Sequence, residues 1–137
     1  MTTSTLTSES DLDRKNPRIL IVDDDKDACI FYTECLVDRG FYVTTVNDPF
    51  EALSSFKPSY YDLVIIDIRM PKMNGFELYE RMKKLDNQLR VCFITAFEEY
   101  YSYIKEQFRL DVQCFIRKPV TAKDLIKNIY SEITRKN

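Results

Sequence analysis

Three uninterrupted apolar runs constrain this chain more than any other feature: Ile-Leu-Ile-Val after Arg18, Leu-Val-Ile-Ile at 63–66 and Val-Cys-Phe-Ile at 91–94. A strand with no polar alternation has both faces buried, which is the condition of a parallel sheet covered by helices on each side. Each run stops on a polar residue: Asp23, Asp67 and Thr95. Helical patterns lie between them. Ala28, Phe31, Tyr32, Cys35 and Leu36 recur at the spacing of an amphipathic stripe, with Gly40 where a helix commonly ends. Residues 42–46 read as a short β-branched strand. Asp48, Pro49 and Glu51 then supply an N-cap, a first-turn proline and a capping-box partner for a helix through about Phe56.

After the loop with Pro71 and Gly75, a helix is expected from about Phe76 to Leu85. A tyrosine-rich helix is expected over 98–108 and a last strand over 112–117. Thr121 with Asp124 caps a final helix toward Thr134. The count is five strands and five helices. Strict alternation implies right-handed crossovers and a doubly wound parallel α/β sheet.

At 137 residues and 45% apolar content, the chain suits one domain, taken as 17–137 behind a polar tail over 1–16 that is expected to be disordered. A formal charge of −2 provides no basic face for nucleic acid. No apolar run approaches the ~20 residues of a membrane span, and the N-terminus has no hydrophobic signal segment, so a cytoplasmic location is expected. The four cysteines fall singly in apolar stretches and are expected as reduced core thiols. There is no histidine, which removes Ser-His-Asp and Cys-His catalysis and leaves any phosphate chemistry to carboxylates.

In an open parallel sheet, ligand chemistry gathers beyond the carboxyl ends of the strands. Here those ends carry Asp23-Asp24-Asp25, Asp67, Thr95-Ala96 and Arg117-Lys118-Pro119. Carboxylates brought to ~4 Å repel by ~4 kcal/mol per pair at an effective dielectric near 20, so the cluster calls for a cation. With neither imidazole nor paired thiolates among the candidate ligands, Mg²⁺ or Mn²⁺ is the fitting ion. An aspartate beside it can act as a nucleophile toward phosphorus, with Lys118 as the neutralising ammonium and the Thr95 hydroxyl as a phosphate donor.

As a set, these residues resemble the receiver domain of two-component response regulators. The likeness rests on Ile-Leu-Ile-Val-Asp23-Asp24-Asp25, Asp67-Ile-Arg-Met-Pro71-Lys-Met-Asn-Gly75, Thr95-Ala96 and Lys118-Pro119, in that order, and covers about 18–134. It implies a flavodoxin-like sheet of strand order 2-1-3-4-5. It also implies phosphorylation of Asp67 by a partner histidine kinase or phosphotransfer protein, so that the domain is a signalling module and not an enzyme for other substrates. Asp24, Asp67 and the Arg69 carbonyl would bind Mg²⁺ directly, with Asp23 acting mainly through water. Thr95 and Phe115 would form the switch. The readout surface would comprise the helix at 98–108, the last strand and the last helix, presented to a downstream protein by a monomer or weak homodimer. By resemblance, the Lys118-Pro119 bond is cis. Arg69 and Phe97, two residues beyond Asp67 and Thr95, are bulky and would slow dephosphorylation. The tyrosines of 98–103 would form a docking patch.

Two alternatives share the fold class. A phosphatase of the haloacid dehalogenase type needs a second acid two residues after its nucleophile, where Arg69 stands. A flavodoxin-like cofactor binder needs a Ser/Thr/Gly-rich phosphate loop after the first strand, where three aspartates would repel the phosphate.

Overall fold

The computed structural model describes residues 16–96 and 112–136. Its strands are β1 (Arg18–Val22), β2 (Tyr42–Val46), β3 (Leu63–Asp67), β4 (Val91–Thr95) and β5 (Cys114–Arg117). The helices among the described residues are α1 (Lys26–Val37), α2 (Pro49–Ser55), α3 (Gly75–Leu85) and α4 (Ala122–Thr134). All strand pairs are parallel, in the order β2-β1-β3-β4-β5 expected from the resemblance. Four helices are described where five were expected, and the helix read at 98–108 lies outside the described residues.

The apolar runs behave as their composition dictates. β3 and β4 are buried along their whole length, and so is β1 after Arg18. Alternate residues feed two cores. Leu20, Val22, Val64, Ile66 and Phe93 face α2 and α3, while Ile19, Ile21, Ile65, Cys92 and Ile94 face α1 and α4. The edge strand β2 is mostly exposed, which explains why it lacks a continuous apolar run.

Caps set the helix starts. Asp25 accepts from the Ala28 amide, Asp48 from Glu51, Asn74 from Phe76 and Glu77, and Thr121 from Asp124. These bonds satisfy amides that a first helical turn otherwise leaves unpaired. At the end of α1 the chain turns through Gly40 at φ +88°, a conformation that favours glycine.

Two expectations are corrected. β5 starts at Cys114 and not at 112, because the β4–β5 register would set Val112 opposite Arg90, one residue before β4 begins. Nor are all the cysteines reduced: Cys92 and Cys114 form a disulfide, leaving Cys29 and Cys35 as thiols. The two are 22 residues apart, and only the parallel register makes them neighbours, with Cα atoms 4.6 Å apart.

Gly75 ties α3 to the end of β3. Its amide donates to the Ile68 carbonyl at 2.7 Å, and a Cβ there would lie 2.5 Å from the Asp67 carbonyl oxygen and 2.9 Å from the Ile68 Cα. Backbone cannot yield as a flexible side chain can, so Gly75→Ala is expected to cost about 2–3 kcal/mol in urea unfolding. A variant as stable as wild type would refute this close approach.

Candidate functional site

The ends of β1, β3, β4 and β5 meet at one rim of the sheet. The Lys118 amide donates to the Thr95 carbonyl at 2.9 Å, that of Ile68 to Ile94 at 3.1 Å, and that of Asp23 to Val46 at 3.2 Å. These bonds lock the loops that carry the polar residues to their neighbouring strands. The Lys118-Pro119 peptide bond is cis.

Asp23, Asp24 and Asp67 each offer a carboxylate oxygen to one small volume, all within 4.8 Å of one another. Asp23 is fully buried, Asp67 nearly so, and Asp24 exposed. Lys118 reaches in from the β5–α4 connection, its Nζ 2.8 Å from Asp23 Oδ2 and 3.7 Å from Asp67 Oδ2. It is no solvated surface charge, being only 19% exposed. Burial works against its ammonium form, but the Asp23 hydrogen bond and the two carboxylate charges outweigh burial and hold its pKa above the usual lysine value.

Asp67 feels the opposite balance. Burial first, then the charge of Asp23, pushes its carboxyl up to about 7, with Lys118 opposing. The folded state therefore holds a proton that the unfolded chain, with an ordinary carboxyl near 4, has already released between those pH values. That contribution to stability is present at low pH and is lost as pH rises through about 7. In the absence of divalent metal, the wild-type protein is expected to lose about 1.4 kcal/mol between pH 6 and pH 8 from this group. Asp67→Asn should flatten the profile. Chemical denaturation at the two pH values measures this, and an equally steep loss in the variant would refute the assignment.

Thr95 ends β4 fully buried. Phe115 is half-buried on the opposite sheet face from Cys114, its ring centroid 5.6 Å from that of Phe93. Arg69 is exposed directly after β3 and Ile68, while Phe97 and the tyrosines of 98–103 lie outside the described residues. The site thus brings together Asp23, Asp24, Asp67, Lys118 and the end of β4.

One supporting residue escaped the sequence reading. Asn47, just past β2, donates from Nδ2 to the Asp23 carbonyl at 2.8 Å and to Cys29 Sγ at 3.4 Å. An isolated asparagine after a strand carries no signal of such a role. Burial and nearby acids push the Cys29 thiol up to about 11, so it remains protonated beneath the site.

The donor set fits a hard divalent ion: three carboxylates close enough to repel, one with a raised pKa, and no thiolate or imidazole among them. Against known families, residues 19–130 match the model of the response regulator receiver domain. The chain belongs to that family. Among curated relatives it is 30% identical over 112 residues to the response regulator receiver protein CpdR of Brucella abortus, covering 82% of this chain and 92% of that one. To the sporulation initiation phosphotransferase F of Bacillus subtilis it is 33% identical over 104 residues, covering 76% and 83%. Among solved structures, the CheX-CheY-BeF3-Mg²⁺ complex of Borrelia burgdorferi matches with a TM-score of 0.77 and 27% identity, covering 86% of this chain and 90% of that one. The chain spans half the length of other relatives, such as a transcriptional regulator of Streptococcus agalactiae. Nothing in these likenesses supports the phosphatase alternative. Receiver domains are signalling modules, and no described helix is long and apolar enough to cross a membrane.

Proposed function

We propose that this receiver domain, taken as 17–137, accepts a phosphoryl group on Asp67 and uses the modification to alter a protein-binding surface. The observation that carries this reading is the nearly buried Asp67 carboxylate at a strand end, crowded by Asp23 and Asp24 and neutralised by Lys118. A Mg²⁺ ion held by Asp24, Asp67 and the Arg69 carbonyl, with Asp23 behind it, would supply Lewis-acid stabilisation of phosphate charge. Mn²⁺ would suit the same oxygens.

Asp67 oxygen attacks phosphorus, a P–O bond forms, and the donor's bond to phosphorus breaks with its electron pair leaving on the donor. Lys118 offsets the charge on the transferred oxygens, and Thr95 donates its hydroxyl to one of them. The new acyl phosphate adds charge and acceptor oxygens at the rim, drawing Thr95 inward and making room for Phe115 to turn. The donor would be a histidine kinase or phosphotransfer protein in the cytoplasm. The phosphotransferase named among the relatives and the CheX-bound CheY support a domain that works through other proteins. Arg69, beside the acceptor, would hinder the water that hydrolyses the product.

The reading is tested by incubating the protein with an acyl phosphate and measuring intact mass. Uptake of one phosphoryl group is expected with Mg²⁺ and none with chelator. Equal uptake in both would exclude the metal from the reaction.

A further inference from the structure

The Cys92–Cys114 bond occupies a position that the phosphoryl chemistry does not use. Cys92 lies in β4, three residues before Thr95, and Cys114 opens β5, directly before Phe115. Their pair is the first rung of the β4–β5 ladder, followed by Phe93 with Phe115, Ile94 with Ile116 and Thr95 with Arg117. The bond therefore joins the two strands that carry both residues of the proposed switch. It also closes a covalent ring containing Thr95 and the whole connection to β5. Cys92 is fully buried, and Cys114, at 7% exposed on an edge strand, is the more accessible residue of the pair.

We propose that Cys92 and Cys114 are a reversible redox modification site that controls the response to phosphorylation, with the disulfide opposing any shift of β4 against β5. A cross-link formed within one arrangement stabilises it against any other that requires β4 and β5 to shift relative to one another. The bond fits the β4–β5 register, in which the two Cα atoms stand 4.6 Å apart, within the range a disulfide spans. In a thiol-reducing compartment such bonds are chiefly transient and redox-sensing, consistent with a switch more than a permanent staple.

The oxidant is a low-molecular-weight disulfide such as oxidised glutathione. The Cys114 thiolate attacks it, forming a mixed disulfide and releasing one glutathione thiolate. The Cys92 thiolate then displaces the second from the Cys114 sulfur. Two cysteine thiols are oxidised by two electrons, one external disulfide is reduced to two thiols, and the two protons pass to the departing thiolates. A small-molecule dithiol reverses the exchange.

This inference rests on Asp67 being the phosphoryl acceptor, and its test separates the two. The full chain is equilibrated with oxidised glutathione or dithiothreitol and its thiols are trapped by alkylation for mass measurement. Each form is then titrated with beryllofluoride and Mg²⁺ by calorimetry. The reduced form is expected to bind at least ~5-fold more tightly, the low end of ordinary coupling between sites. Cys114→Val and Cys92→Ala should each bind like the reduced form under both conditions. Equal affinity of the two wild-type forms would overturn the proposal, as would failure of the pair to interconvert or redox sensitivity that survives in either variant. Absence of binding in every form, and equally in Asp67→Asn, would instead overturn the acceptor assignment.

Discussion

Asp67→Asn is expected to abolish phosphoryl uptake while leaving the fold intact. The amide is nearly isosteric with the carboxylate but lacks the anionic oxygen that attacks phosphorus. Its effect on stability should have the opposite sign to its effect on function, because it removes the carboxyl that burial and Asp23 push up to about 7. A variant more stable than wild type at pH 8 without metal, yet inert to an acyl phosphate, would bear both signatures of this site. Phosphoryl uptake at the wild-type rate would move the acceptor elsewhere, with Asp23 and Asp24 the nearest candidates.

Lys118→Met should have the second largest effect. Methionine preserves much of the aliphatic stem, so packing changes little, but the variant leaves Asp23 fully buried without its 2.8 Å ammonium partner. Removing one member of a buried ion pair commonly costs 3–5 kcal/mol because the remaining charge has no compensation. About 3 kcal/mol is expected at pH 8 without metal, since the site opens to solvent beside Asp24 and Lys118 itself is partly exposed. Lowering the pH, which lets the carboxylates take up protons, or adding Mg²⁺ should each recover much of that loss. Urea denaturation under the three conditions gives the comparison. A loss that neither protons nor Mg²⁺ reduces would mean that Lys118 supports the fold by packing and not by charge.

The parts of this architecture legible in the sequence are those that depend on local composition. The runs at 63–66 and 91–94 announce strands buried on both faces, and Asp48-Pro49 and Thr121 sit where helices begin, whereas the Asn74 cap and the start of α3 at Gly75 read as loop. The acids and Lys118 were legible as a candidate site because each stands at or just past a strand end, and parallel strands deliver their carboxyl ends to one rim. What could not be read depends on register or on distant partners. Cys92 and Cys114 look like two isolated core residues until β4 and β5 align them. Asn47 acquires its role only because β2 lies beside β1 and ends near the Asp23 carbonyl. The early start expected for β5 has the same origin. Val112 is apolar and buried like a strand residue, and only the ladder reveals that it has no partner within β4.

Phe115 illustrates the same division at the proposed switch. Its position three residues before Lys118 marks it in the sequence, but its environment comes from the fold, which tilts its ring against that of Phe93 on the face away from Cys114.

The most direct test is to locate the phosphoryl group itself. The protein is phosphorylated with an acyl phosphate and Mg²⁺, the acyl phosphate is reduced with borohydride, and the peptides are sequenced by mass spectrometry. Conversion of Asp67, and no other aspartate, to homoserine is the predicted result. Conversion at Asp23 or Asp24, or phosphate on a serine, threonine or tyrosine with Asp67 unchanged, would contradict it.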